Sequence, residues 1–327
     1  MAEGDGPVEL TQRQIDALRE QLGRFGADAG LPEQAGPFLT FYGLDFSEPF
    51  PEAQLSMGWV PSGEYKIATY CWRQPDATDT LLLVHGYLDH VGLFAHLIRF
   101  GLMRGYNVLA FDLPGHGLSS GQRAGIDEFS HYSAAIEDVL DASGLALQRL
   151  RVIAQSTGGA ALVDLASRGR WPFEQTVLLA PLVRPVDWWQ VRLIHTLAHR
   201  FIDDVPRKFA KNSTDLDFLQ FVQRDPLQSR RIQVSWVGAL KRWLSGLQFT
   251  DLGVGPALVI QGREDSTVDW RYNMRRIETL FPGSTIEYLP EAGHHLANES
   301  ERWRNLYLAS INAYFDNSAA VERGART

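Results

Sequence analysis

Eight short apolar runs, most of them separated by helix-like stretches, set the strongest limit on what this chain can fold into. They are QLSMGWV, EYKIATYCW, TLLLVHG, YNVLAFDL, LRVIAQS, TVLLAPL, ALVIQG and TIEYLP. The first two alternate apolar and polar positions and meet at Pro61-Ser62-Gly63, which predicts a hairpin. The later six are continuous and apolar, the pattern of strands covered on both faces. Between them lie GLFAHLIRFGLMRG, EFSHYSAAIEDVLDASG, GGAALVDLASRG and WRYNMRRIETLF, each with helical character. Strand–helix alternation predicts an α/β fold with a mainly parallel sheet and right-handed crossovers.

Two regions fall outside this rhythm. Between Pro185 and Ala257 about seventy residues carry no strand pattern, too many for a simple crossover, and they are predicted to form an inserted helical cap. At the other end, the first ten residues have the composition of a disordered segment. TQRQIDALREQLGRFG then predicts a helix capped by Thr11 and ending near Gly26. Residues 27–54, rich in Gly, Pro and Phe, predict an irregular lead-in.

Composition excludes several classes. A net charge of -8 gives no general electrostatic basis for nucleic-acid binding. The single cysteine, Cys71, excludes an internal disulfide or a multi-thiolate metal site, and its strand-like setting predicts a buried apolar role. The start, MAEGDGPVEL, has no apolar signal core, and no apolar run is long enough to span a bilayer. The expectation is a soluble cytoplasmic protein.

Three chemical groups each follow a strand. LRVIAQ leads at once into Ser156 and then into GGAALVDLA, a small-residue helix start. A serine on such a tight strand-to-helix turn projects its hydroxyl above the sheet edge, and the helix N-terminus behind it favours developing negative charge. By itself A-Q-S-T-G also fits an ordinary strand–helix junction. A free hydroxyl needs a base, and His294-His295 follow the last strand; taken alone, they also fit a pair of surface histidines. Asp265, in ALVIQGREDSTVD, can orient an imidazole, with Asp187 as the alternative acid. The joint placement of Ser156, Asp265 and His294 at strand ends puts all three on the carboxyl edge of one sheet, where open α/β sheets build their sites. Tyr87, in the His85-Gly86-Tyr87 loop, and Thr157, after the serine, can supply two backbone N–H donors to an oxyanion.

With these motifs in place, residues 55–315 resemble an α/β-hydrolase of the monoacylglycerol lipase and lysophospholipase group, which includes serine aminopeptidase-like sequences. The group's HG loop is His85-Gly86-Tyr87. Its D-x-x-G-H-G-x-S turn spans Asp112 to Ser119, and its G-x-x-D-x-x-V motif spans Gly262 to Val268. The resemblance also selects His294 over His295, because Leu296, Asn298 and Glu299 stand at the offsets expected from the catalytic histidine. His295 is then expected to pack or to face solvent. The elbow departs from the group's G-H-S-x-G, and Gln155 in place of histidine is expected to alter packing below the serine. The implied division is an N-terminal extension (1–54), a hydrolase core of eight strands (55–182 and 251–315), the cap (183–250) and a C-terminal tail (316–327).

The cap holds eleven Lys and Arg against six Asp, and four of the nine tryptophans. Within PVDWWQVRLIHTLAHRF, one helical face carries Val186, Trp189, Leu193, Leu197 and Phe201, with Arg192, His195 and His199 opposite. Two readings stay open: a face packed on the body, or an acyl-binding tunnel under a basic rim, with Trp188, Trp189 and Trp236 against the substrate. A basic rim is also compatible with peripheral membrane contact. The resemblance implies a serine hydrolase cleaving carboxylic esters, with a small-molecule or monoacyl lipid substrate and no metal or organic cofactor. A short-chain esterase, an aminopeptidase of the same fold and a non-catalytic binding protein are the alternatives.

Overall fold

The computed structural model describes residues 9–145 and 147–324. Most of the segment expected to be disordered, residues 1–8, lies outside them. In chain order the elements are α1 (Gln12–Gln21), α2 (Ala35–Tyr42), β1 (Gln54–Ser62), β2 (Tyr65–Arg73), β3 (Asp79–Val84), α3 (Ala95–Met103), β4 (Asn107–Phe111), α4 (Ser130–Ala142), β5 (Arg149–Gln155), α5 (Thr157–Ser167) and β6 (Gln175–Leu179). There follow α6 (Trp188–Ala198), β7 (Asp204–Pro206), α7 (Leu216–Arg224), β8 (Arg231–Gln233), α8 (Val234–Gly246), β9 (Leu258–Gly262), α9 (Trp270–Leu280), β10 (Thr285–Leu289) and α10 (Glu301–Gly324).

All eight predicted strands join one sheet in the order β1-β2-β4-β3-β5-β6-β9-β10. The β1–β2 and β2–β4 pairs are antiparallel and the others parallel. Every residue of β4, β6 and β9 is buried, which accounts for their continuous apolar sequences. The hairpin turn is Gly63-Glu64, one position later than predicted, because Ser62 still pairs with Tyr65 and Gly63 takes the left-handed conformation. Strand order reverses at β3, since β4 lies on one side of it and β5 on the other. A crevice opens at the carboxyl ends of strands flanking such a reversal.

Residues 9–53 carry more regular structure than their composition suggests. Thr11 caps α1 through a reciprocal capping box with Gln14, and the helix stops at Gln21, well before Gly26. The lead-in contains α2, a helix of eight residues closed by Gly43 in the left-handed conformation. Its signal is hidden because AGPFLTFY buries Phe38, Leu39 and Tyr42 against the body instead of showing a helical polar face. The chain between the two helices lines the outer edge of the sheet: Trp59 N–H donates to Gly23 O at 2.8 Å and Phe25 N–H donates to Trp59 O at 2.9 Å. Covering an edge strand in this way removes a site for unwanted pairing.

Between β6 and β9 the three helices are joined by a ribbon of β7 and β8, three residues each and antiparallel. Strands that short leave no periodic signature. One buried carboxylate ties this region to two others. Asp225, at the end of α7, accepts a hydrogen bond from Tyr42 Oη (2.6 Å) in α2 and pairs with His90 Nε2 (2.7 Å) in the loop after β3. The region expected as a tail is helical as far as Gly324. Among the described residues no helix is long and apolar enough to cross a membrane.

Candidate active site

Ser156 sits at the β5–α5 junction with φ 50° and ψ −113°, a left-handed conformation rare for a residue with a Cβ. Such strain costs on the order of 1–3 kcal/mol and persists only where neighbours over-determine it. Here they do: Ser156 N–H donates to Leu179 O at 2.9 Å, and Ser156 O accepts from Leu182 N–H at 3.0 Å and from Ala160 N–H at 3.2 Å. Beside it the β3 end must come very close. A Cβ on Gly86 would lie 3.1 Å from Ser156 Cβ and 3.0 Å from an Asp89 oxygen, so any side chain there would push on the serine and on Asp89 by a few tenths of an ångström.

The three residues that sequence placed at strand ends meet. His294 Nδ1–H donates to Asp265 Oδ2 at 2.7 Å, and Ser156 Oγ–H points to His294 Nε2 at 2.9 Å. With Nδ1 committed to a carboxylate, Nε2 carries the lone pair that faces the hydroxyl. Asp265 also accepts from the amides of Thr267 (2.8 Å) and Val268 (3.1 Å) and from Gln261 Nε2 (3.1 Å). Burial pushes the Asp265 carboxyl up, but His294 and these donors outweigh it and hold it below the usual range. Burial pulls the His294 imidazole down; Asp265, helped by Asp89, more than offsets this, so its pKa lies above the ordinary 6.5. Asp187, the alternative acid, is exposed at the start of α6 and bonds to neither histidine.

The motif positions acquire physical reasons. A Cβ on Gly262 would lie 2.2 Å from Gly293 O, so only glycine lets the histidine loop cross the end of β9 toward Asp265. Glu299 is fully buried and accepts from Gly293 N–H at 2.6 Å and from Thr214 N–H at 2.9 Å. Asn298 Nδ2 donates to Leu93 O at 2.6 Å. The Asn-Glu pair therefore clamps the loop on both sides. Asp112 is likewise structural: it accepts from the amides of Val91 and Leu118 and from Tyr70 Oη, each at 2.8 Å.

Among the described residues, neither the Tyr87 nor the Thr157 amide donates to a protein acceptor. Tyr87 is fixed by its side chain, which donates to Ala124 O at 2.8 Å and stacks on Trp236 with ring centroids 4.0 Å apart. His85, at the base of this loop, accepts from Leu113 N–H at 2.9 Å, and burial pushes its pKa down to about 3, so it is a neutral strut.

His295 does not face solvent. It is buried, packs against Phe218 and donates from Nε2 to Asp89 Oδ1 at 2.8 Å. The other Asp89 oxygen accepts from Gln155 Nε2 at 3.1 Å, and Gln155 Oε1 accepts from Ala297 N–H at 2.9 Å. Burial pushes the Asp89 carboxyl up, yet His295 beside it, with His85 and Arg207, holds it well below the usual range. Sequence reasoning missed Asp89, whose partners lie 66 and 206 positions away. The available signals were the unusual Gln155 and the doubled histidine.

The tryptophans between β6 and β9 part company. Trp236 is buried against Tyr87, whereas Trp188 lines a cavity of about 470 Å³ with Arg184, Arg192, His195 and Tyr272. Trp189 is 67% exposed, and with it Leu193, Leu197 and Phe201 face outward. Neither of the two readings of this face describes it: it is a solvent-exposed apolar patch, and it is Thr196 and His195, on another side of α6, that meet Lys241 and Gly238 of α8.

The profile of the serine aminopeptidase (S33) family matches residues 75–301. A phospholipase of Bacillus subtilis is 22% identical over 212 residues, covering 61% of this chain and 81% of that protein. A monoacylglycerol lipase of Mycolicibacterium smegmatis is 32% identical over 133 residues, 38% of this chain and 46% of the lipase. In fold, the chain is similar to a monoglyceride lipase of Saccharomyces cerevisiae solved with a substrate analog, with TM-score 0.68 and 16% identity over 80% of this chain and 96% of that one. The sheet, the crossovers and the profile match agree: the chain belongs to the serine aminopeptidase (S33) family of α/β-hydrolases.

Proposed function

We propose that the chain is a serine esterase in which Ser156 is the nucleophile, His294 the general base and acid, and Asp265 the acid that orients the imidazole. The observation that carries this reading is the unbroken chain from Ser156 Oγ through His294 to Asp265 on a left-handed turn. His294 Nε2 takes the hydroxyl proton as Oγ attacks the ester carbonyl. The Tyr87 and Thr157 amides receive the oxyanion. As the tetrahedral intermediate collapses, the alcohol leaves with the proton from His294. Water then attacks the acyl-enzyme by the same route, with Asp265 holding the imidazole throughout.

The substrate in this reading is a monoacyl lipid ester, a lysophospholipid or a monoacylglycerol. Relatives named for phospholipase and monoacylglycerol lipase activity support it. So does the exposed apolar face of α6, which would meet a micelle or bilayer surface while residues 183–250 act as the cap. An aminopeptidase would need a carboxylate to anchor the substrate ammonium group. The buried acids around the site, Asp89, Asp225 and Asp265, already accept hydrogen bonds from the protein on both oxygens.

Fluorophosphonate labelling tests the chemistry: wild type is expected to label and Ser156→Ala is not. An unlabelled wild type would instead favour a binding protein of this fold. Nitrophenyl esters of increasing chain length test the substrate. Preference for acetate or butyrate over decanoate would sink the lipid assignment and leave the esterase standing.

A further inference from the structure

Two features of the sequence, Gln155 in the serine turn and a second histidine after His294, converge on one side chain. Asp89 takes the His295 Nε2–H on one oxygen and the Gln155 Nε2–H on the other. Gln155 in turn accepts the Ala297 amide, just beyond the histidines. The result is a closed circuit: β5 end, Asp89 loop, histidine loop and back to β5. All three side chains are buried. We propose that Asp89, His295 and Gln155 are positioning residues that form a brace across the site, setting the reach from Ser156 to His294 and adding a second negative charge behind the catalytic imidazole. This rests on the esterase reading above.

The chemistry of the circuit argues against an incidental cluster. A buried carboxylate is tolerated only when its oxygens are satisfied, and each donor here comes from a segment that carries a reacting group. Gln155 precedes Ser156 and His295 follows His294, so a shift in either bond moves a reacting atom directly. Misplacement of about 1 Å costs on the order of 10² in rate. His294 lies within the field of two acids, Asp265 and Asp89. Asp89 itself is faced by His295, His85 and Arg207. Only the neutral imidazole can accept the serine proton, so kcat/KM falls as pH drops through the His294 pKa, which lies above the ordinary 6.5. Removing the Asp89 charge lowers that pKa and moves the acid limb of the profile to lower pH.

The test uses the full chain, a soluble nitrophenyl ester and pH profiles of kcat and KM. Asp89→Asn keeps the shape but sets its amide against the Gln155 donor. It is expected to lose on the order of 10² in kcat with KM little changed, and to shift the acid limb downward. Adding Gln155→Glu restores an acceptor opposite Asn and returns a charge to the circuit, so kcat and the acid limb should both recover in part. His295→Gln, which keeps an N–H near the Nε2 position, should retain most of the activity that His295→Ala loses. Fluorophosphonate labelling of wild type separates the two levels. A reactive wild type whose Asp89→Asn variant keeps its kcat, or loses kcat with an unmoved acid limb and no rescue, overturns the brace alone. A wild type that neither labels nor turns over ester overturns the esterase reading and the brace with it.

Discussion

The carboxyl edge of the sheet and the outer face of α6 invert the usual rule in opposite directions. At the edge, an acid–histidine–serine chain and a second acid–histidine pair lie buried with their oxygens satisfied. On α6, Trp189, Leu193 and Leu197 stand in solvent, and Phe201, just past the helix end, has 84% of its surface exposed. Buried charge demands fixed partners, whereas exposed apolar surface demands a partner that is absent from a lone chain. The first region is therefore complete by itself, whereas the second is covered only if the proposed lipid surface meets it.

Breaking the edge should give the largest effects. Ser156→Ala is expected to lower kcat by on the order of 10⁶, as removal of a serine nucleophile does elsewhere, measured on a soluble ester. Asp265→Asn should cost about 10⁴, because the imidazole would be held in the wrong tautomer. A loss below tenfold would mean that Asp265 is a bystander. For α6, Leu197→Asp should leave the soluble ester untouched and weaken hydrolysis of vesicle-borne lysophospholipid by roughly tenfold, the scale set by one buried leucine. Equal losses on both substrates would erase the distinction between the two regions. The smallest effect concerns stability: Ser156→Gly should exceed Ser156→Ala by about 1 kcal/mol in urea unfolding, because glycine alone is at ease in the left-handed conformation.

Much of the edge was legible in the sequence because each component is local. A strand end, a tight turn and a short motif together place Ser156, Asp265 and His294 without knowledge of any long-range contact. The brace was not, since Asp89 gains its meaning only when β3, β5 and the last loop are side by side. The amphipathic pattern of α6 was equally plain, but periodicity reports that a face exists and not which way it is turned. In α2, burial of Phe38 against Tyr70 and of Tyr42 against His90 overrode a sequence that read as irregular.

The carboxylate of Asp225 has a practical consequence for anyone who trims this protein. A cut before β1 looks harmless from the strand pattern, since the catalytic sheet begins there. Yet such a cut removes Tyr42, one of the two side chains bonded to an acid that is 3% exposed. Asp225 Oδ1 would keep only the Leu227 N–H at 2.9 Å; losing a hydrogen bond to a buried carboxylate costs about 1.5–3 kcal/mol, and here the loss would fall on the joint between α7 and the loop bearing Tyr87. The N-terminal segment thus splints the stretch between β6 and β9, and a fragment of this chain that begins upstream of α2 is expected to be the more stable one.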